Sequence, residues 1–299
     1  MTAGDERVEL TAGALRVVLC PAVGGSIARF DLLRDGRVEP LLRGTDARYD
    51  DALQAACFPL VPFVNRIRGG TFTCDGRTVR LTPNLPGDPS PLHGQGWRNA
   101  WQVTANNAAS AELTYEHHAD EWPWDYVAHQ RIALDADGLD IVLSCTNRSS
   151  APMPCGLGLH PYAPCSADTR IDTGVDTAWT VDADVLPVAE VPARDCYSLA
   201  DEPVCGRTLD NGFGGWNGDS LVTWPSRGIA MRMTSQDARY FQLYSPATGG
   251  VFVAEPVQHE NAALNRPQAE WSAAGLRLLA PGESRTLAVR FAVHGDARG

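Results

Sequence analysis

Ile132-Ala133-Leu134-Asp135-Ala136-Asp137-Gly138-Leu139-Asp140-Ile141-Val142-Leu143-Ser144-Cys145 is the stretch whose reading decides the fold class. Leu139, Ile141 and Leu143 alternate with Asp140, Val142 and Ser144. That period of two is the pattern of a strand with one face on a core. The Asp137-Gly138 pair ahead of it tolerates positive φ, so the stretch reads as a hairpin. The same grammar recurs outward from here. Asp35-Gly36 and Asp75-Gly76 punctuate extended segments, the second inside residues 71–81. Residues 15–20 are apolar and stop at Pro21, and residues 26–30 follow Gly24-Gly25. Residues 221–224 and 229–233 flank Pro225-Ser226-Arg227-Gly228. Near the end, Leu287, Val289, Phe291 and Val293 alternate with Ala288, Arg290 and Ala292. No window sustains a 3.6-residue apolar period, and 28 glycines and 21 prolines would interrupt one. The expectation is an all-β chain, a large β-sandwich formed as a single domain over residues 1–299.

Composition narrows the function classes. A chain of 299 residues that is 44% hydrophobic can bury a large core without disulfides. A net charge of −11 argues against a nucleic-acid partner, since phosphate binding needs clustered positive charge. All 25 residues counted as Lys+Arg are arginine. Without lysine there is no Schiff base to a carbonyl or to pyridoxal phosphate, and no phosphate loop lysine. The eight cysteines form no CxxC pair and no metal-ligand spacing, and several sit in apolar runs where a free thiol acts as a small hydrophobe. The first seven residues lack the basic and apolar regions of a secretory signal, and no apolar stretch approaches the ~20 residues of a membrane span. A reduced, cytoplasmic protein with no membrane partner is expected.

Two apolar runs each end in a titratable residue followed by proline: Gly156-Leu157-Gly158-Leu159-His160-Pro161-Tyr162 and Gly250-Val251-Phe252-Val253-Ala254-Glu255-Pro256. Each reads as a buried strand stopped by its proline. Each thereby delivers one general acid or base to a strand end. Further polar residues break the apolar pattern at Asn65-Arg66, at His93 within Pro91-Leu92-His93-Gly94-Gln95-Gly96-Trp97, and at Asp210 in Leu209-Asp210-Asn211-Gly212-Phe213. Asn, Arg, His, Asp and Glu together suit a neutral polyol, offering paired donors and acceptors to its hydroxyls.

With these motifs in hand, the chain resembles the aldose 1-epimerase (galactose mutarotase) family. The resemblance rests on Asn65-Arg66-Ile67 with Gly70 and Phe72, Leu92-His93-Gly94 with Trp97 and Trp101, and Leu159-His160-Pro161-Tyr162. It continues through Leu209-Asp210 with Phe213 and Glu255-Pro256 with Asn261-Ala262 and Asn265. It implies the family's galactose mutarotase-like supersandwich and interconversion of aldose anomers at C1. It assigns His160 as general acid on the ring oxygen and Glu255 as general base on the C1 hydroxyl. Arg66, His93 and Asp210, with Asn65 beside them, are placed on the sugar hydroxyls. The reaction moves protons only, so no cofactor is expected. A sugar is the expected partner of a monomer or homodimer. Ala163 departs from the family's common phenylalanine.

Read residue by residue, alternatives stay open. His160 could be a core histidine, Glu255 could pair with Arg66, and Asp210-Asn211-Gly212 could be a turn. His117, His118 and His129 read as exposed and receive no role. A metal on His93, His160, Glu255 and His259 is not expected, for lack of an HxH or HExxH pattern. A sugar-binding protein without turnover, or an epimerase of a modified or phosphorylated sugar, remains the alternative. Arg66, Arg68 and Arg98 are the only hint of an anionic substrate.

Overall fold

A computed structural model describes residues 7–45 and 48–295; residues 1–6, on which the leader reading partly rests, lie outside them. The regular structure is almost entirely antiparallel strand, as the alternation requires. Asp35-Gly36 (φ 52° and 71°) and Asp75-Gly76 (φ 49° and 77°) both take the double positive φ of a tight hairpin. The third Asp-Gly differs. Tyr126–Leu134 and Gly138–Asn147 do pair as a hairpin, but Gly138 already belongs to the second strand. A Cβ there would lie 2.4 Å from the carbonyl oxygen of Phe291, so glycine serves a close approach and not the turn.

Two large sheets form the sandwich. A nine-stranded sheet runs in the order Glu202–Pro203, Arg170–Thr173, Asp219–Trp224, Ile229–Thr234, Ser284–Gly295, Gly138–Asn147, Tyr126–Leu134, Ser110–His117, Gln102–Asn106. An eight-stranded sheet runs Pro187–Pro192, Thr177–Val181, Leu209–Gly214, Tyr240–Ser245, Val251–Val257, Gly158–Leu159, Pro59–Leu60, with Tyr162–Pro164 also paired to Val251–Val257. A four-stranded sheet, Val8–Ala12 to Arg37–Leu42, adds to the same core. Leu139, Ile141, Leu143, Val289 and Phe291 from the first sheet meet Phe213, Phe241, Leu243 and Phe252 from the second in one apolar cluster. The other face of the eight-stranded sheet carries a separate cluster of Phe58, Leu60, Val64, Trp97, Tyr162, Val253 and Val257, covered by loops.

Several expectations are corrected. Pro256 does not end its strand, which continues to Val257 with Pro256 opposite Phe241. On this strand Ala254 N–H donates to Pro161 and Gln258 N–H to Leu157. The nitrogen of Pro256 falls between them, where the neighbouring chain leaves the ladder at His160-Pro161, so no donor is missed. Asp210 lies within the strand Leu209–Gly214 and not in a turn. His117 is buried, being on the inward phase of Ser110–His117. Cys165 and Cys205 are joined as a disulfide across a Cα–Cα distance of 5.5 Å, against the expectation of free thiols. A sequence separation of 40 gives no local signal. Cys20, Cys57, Cys74, Cys145 and Cys155 are buried thiols as expected. Among the described residues no helix is long and apolar enough to cross a membrane.

Candidate active site

The register of three strands builds the floor of the site. Gly212 stands opposite Gln242, and Gln242 opposite Glu255. Residues directly opposite share a face. Asp210, Gly212, Gln242 and Glu255 therefore point away from the sandwich core, while Phe213, Phe241 and Ala254 point into it. Gly214 leaves room for the indole of Trp179, since a Cβ there would come within 3.0 Å of it, and a Cβ on Gly212 would lie 3.2 Å from Gln242 Oε1. Gln242 Nε2 donates to Asp210 Oδ1 at 2.7 Å.

His160 arrives from the opposite edge. It follows Gly158–Leu159, and its N–H donates to the Phe58 carbonyl at 3.0 Å. Its ring is stacked on Phe58 (centroids 4.4 Å, 13° between planes) and flanked by Tyr162 at 4.7 Å and His93 at 5.3 Å. Phe58 in turn stacks on Trp97. This aromatic packing brings His160 Nε2 to 3.6 Å from Glu255 Oε1. The alternative pairing, Glu255 with Arg66, is not the one formed.

Both groups are almost dry, His160 at 8% exposure and Glu255 at 3%. Burial drives the His160 pKa down to about 3, with Arg43 adding to the effect. Burial first, then the charge of Asp210, drives Glu255 well above its usual range, while Arg66 opposes. Burial thus biases each group toward its uncharged form, a carboxyl facing a neutral imidazole. Asp210 is raised by burial as well. Among the described residues only four buried side-chain polar atoms lack a hydrogen-bond partner, and two of them are His160 Nδ1 and Glu255 Oε2. Buried polar groups are normally satisfied, so two orphans on one facing pair mark a place prepared for a ligand.

His93 and Asn65 lock one another. Both have positive φ (61° and 55°), and His93 N–H donates to the Asn65 carbonyl at 3.0 Å. Asn65 N–H donates to His93 Nδ1 at 3.0 Å, which places the ring hydrogen on Nε2. Burial holds the ring neutral. His93 thus presents a fixed donor. The ligating atoms of His93, His160 and Glu255 lie within 4.8 Å of each other. A metal would nevertheless need a lone pair that His93 has already committed. His259 is committed too: Nε2 accepts from Val64 N–H at 2.9 Å and Nδ1 donates to the Glu260 carbonyl at 2.7 Å. A Cβ on Gly156 would lie 2.2 Å from that ring, which explains one glycine of the His160 run.

Arg66 forms its ion pair with Asp88, Nε to Oδ2 at 2.8 Å, and donates from Nη1 to Asn65 Oδ1. The motif asparagines hold its loop from behind. Asn261 Oδ1 accepts from Arg66 N–H, and Asn265 bonds the N–H and carbonyl of Arg68 and the carbonyl of Thr71. Trp97, Trp101 and Trp216 donate to Leu92, Gly96 and Thr173 and are buried packing residues. The predicted set His160, Glu255, His93, Asn65, Arg66 and Asp210 is thus gathered on one face. Asp88, Gln242 and Phe58 join it without having been singled out in the sequence. Gln242, a lone amide within Tyr240-Phe241-Gln242-Leu243-Tyr244, is the one whose break in the apolar pattern could have revealed it.

Comparison with known proteins follows this geometry. A model of the family described as aldose 1-epimerase matches residues 6–292. The Escherichia coli K12 protein YphB is 36% identical over 262 residues, covering 83% of this chain and 86% of YphB. The crystal structure of a candidate aldose 1-epimerase from the same organism superposes with a TM-score of 0.86 at 32% identity, covering 97% of this chain and 99% of that one. A galactose mutarotase-like protein from Clostridium acetobutylicum gives a TM-score of 0.85 at 18% identity, covering 97% and 95%, and speaks for the fold alone. The chain belongs to the aldose 1-epimerase family.

Proposed function

We propose that this protein is a mutarotase that interconverts the α and β anomers of a free, neutral aldose, with His160 and Glu255 as its proton-transfer pair. The observation that carries the reading is the dry pair itself, 3.6 Å apart, each partner with one unpartnered polar atom. The proton count then closes. In the ring-opening step Glu255, as carboxylate, removes the proton from O1 while His160, as imidazolium, gives one to O5. The C1–O5 bond breaks and C1–O1 becomes a carbonyl. The pair is left as carboxylic acid and neutral imidazole, the state burial favours. Rotation about C1–C2 presents the other carbonyl face. Ring closure runs the transfers backwards, with His160 taking the C5 hydroxyl proton and Glu255 returning its own to O1. One proton shared between two groups serves both directions, and the uncharged form accompanies the open-chain aldehyde. His93 Nε2–H, Arg66 and Asp210 orient hydroxyls.

Neutral rather than anionic sugar is supported by where the arginines go. Arg68 donates to Asp182 and the Pro187 carbonyl, and Arg98 lies over Trp97 near Asp51. Arg43 donates to the carbonyls of Leu53 and Ala55, and Arg66 is paired with Asp88. Three of the four lie beside a carboxylate, and Arg43 spends Nε and Nη2 on backbone carbonyls over the Tyr162 ring.

The test is polarimetry of freshly dissolved α-anomers of glucose, galactose, xylose, arabinose, fucose and rhamnose, with wild type and Glu255→Gln. Acceleration by wild type that disappears in the variant is expected. Wild type that accelerates none of them, or a folded variant as fast as wild type, overturns the proposal.

A further inference from the structure

Asp88 sits in a segment with no other evident task. Between residues 83 and 91 the chain carries four prolines, Pro83, Pro86, Pro89 and Pro91, each fixing its own φ and restricting its predecessor. The base of the segment is closed by the Asn84 amide, which donates to the Leu92 carbonyl and accepts from Leu92 N–H, both at 2.8 Å. Inside it, Asp88 N–H donates to the Leu85 carbonyl. Asp88 Oδ1 accepts from Ser90 N–H at 2.9 Å, and Oδ2 accepts from Arg66 Nε at 2.8 Å. A stiffened loop thus delivers one carboxylate, 10% exposed, to one guanidinium, 12% exposed. Arg66 is held by Nε toward Asp88 and by Nη1 toward Asn65, which leaves Nη2 without a hydrogen-bond partner among the described residues. The guanidinium also lies within the electrostatic reach of Asp210, Glu255 and His93.

Building on the mutarotase reading, we propose that Asp88 is the positioning and specificity residue of the site. It clamps Arg66 by Nε so that the Nη2 edge meets sugar hydroxyls, and it cancels the arginine charge so that the pocket rejects anionic aldoses. An arginine fork fixed on one side recognises hydroxyl geometry. The same fork with its charge uncompensated would attract a carboxylate or phosphate instead. Asp88 touches no reacting atom in this account and acts through Arg66.

The experiment compares wild type, Asp88→Asn and Asp88→Ala by polarimetry on neutral D-galactose and D-glucose and on anionic D-galacturonate and glucose 6-phosphate. Unfolding midpoints confirm that each variant is folded. Losing an interaction made equally to bound sugar and transition state raises KM and spares kcat, so KM for the neutral sugars should rise about tenfold with kcat held within about threefold. The preference for neutral over anionic sugars should fall about tenfold in Asp88→Asn, because removing a like charge relieves repulsion. An unchanged KM and an unchanged preference would overturn the proposal. So would a parallel loss on all four sugars, which marks mere loosening of the loop. Wild type inactive on every sugar would count against the mutarotase reading instead. In that case calorimetric titration with D-galactose and D-galacturonate decides the Asp88 role through the same binding ratio in wild type and Asp88→Asn.

Discussion

The strand Val251–Val257 has two faces that burial alone does not tell apart. Phe252 and Ala254, toward the sandwich core, are 0% and 6% exposed; Val253 and Glu255, on the other side, are 0% and 3%. What differs is how the polar groups on each side are finished. The inner face meets Leu42, Met231, Met233 and Phe291, which are apolar and ask for nothing further. The outer face meets His160, Gln242 and Asp210, and leaves His160 Nδ1 and Glu255 Oε2 unsatisfied. Interior packing is a solved problem on one side and a stored demand on the other. The lesson is that a dry, closely packed surface becomes a candidate site when its polar accounting is incomplete.

Exchanging the roles of the two faces is the way to break this contrast, and the largest effect should come from the outer one. Glu255→Gln and His160→Ala should each cost roughly 10²–10⁴ in kcat, the range for a positioned acid or base. Their folded fraction at neutral pH should not fall in proportion. Phe252→Ala should do the reverse. It should lower stability by about 3–5 kcal/mol, because the small void beside it enlarges and cannot collapse fully. Its activity per folded molecule should stay within about threefold of wild type, as no atom of Phe252 faces the site. Chemical denaturation paired with polarimetry of each variant checks both halves. A Phe252→Ala protein of normal stability but lost turnover would dissolve the distinction.

How much of this was legible depends on whether the signal was local. The strand grammar around Leu139 and the hairpins at Asp35 and Asp75 were, because backbone conformation follows from neighbouring residues. Glu255 and His160 stood out as titratable residues closing apolar runs, and the fold brings them to 3.6 Å of one another. Asp88 did not stand out. Its meaning lies in a partner twenty-two residues away, and a proline-rich loop reads as punctuation until that partner is seen. The turn alternative at Asp210-Asn211-Gly212 stayed open because the residue types favour one. There, Asn211 gives its amide to the Trp179 carbonyl, and a Cβ on Gly212 would lie 3.2 Å from Gln242 Oε1. His117 and the Cys165–Cys205 bridge were missed for related reasons, strand phase and long-range closure.

A smaller effect sharpens the contrast further, and its sign is fixed by linkage. The Glu255 carboxyl titrates well above its ordinary range in the folded protein because it is buried, with Asp210 adding to the shift. In the unfolded chain it titrates near ~4.3, as model peptides do. Above that pH the folded state therefore holds a proton that the unfolded state has released, and stability falls as pH rises toward the folded value. Glutamine keeps the shape and cannot ionise. The stability difference between Glu255→Gln and wild type should consequently be smallest near pH 4.5. It should grow in favour of the variant by up to about 1.4 kcal/mol per pH unit until the folded carboxyl titrates. His160 does not confuse the measurement, since with a pKa of about 3 it stays neutral across this window in the folded protein. Any fixed gain or loss from the new amide shifts the whole curve without changing its slope. Urea denaturation of both proteins from pH 4.5 to 8 reads the slope directly. A difference that is flat, or that shrinks with pH, would mean Glu255 is ionised and well solvated. The outer face would then be as fully satisfied as the inner one.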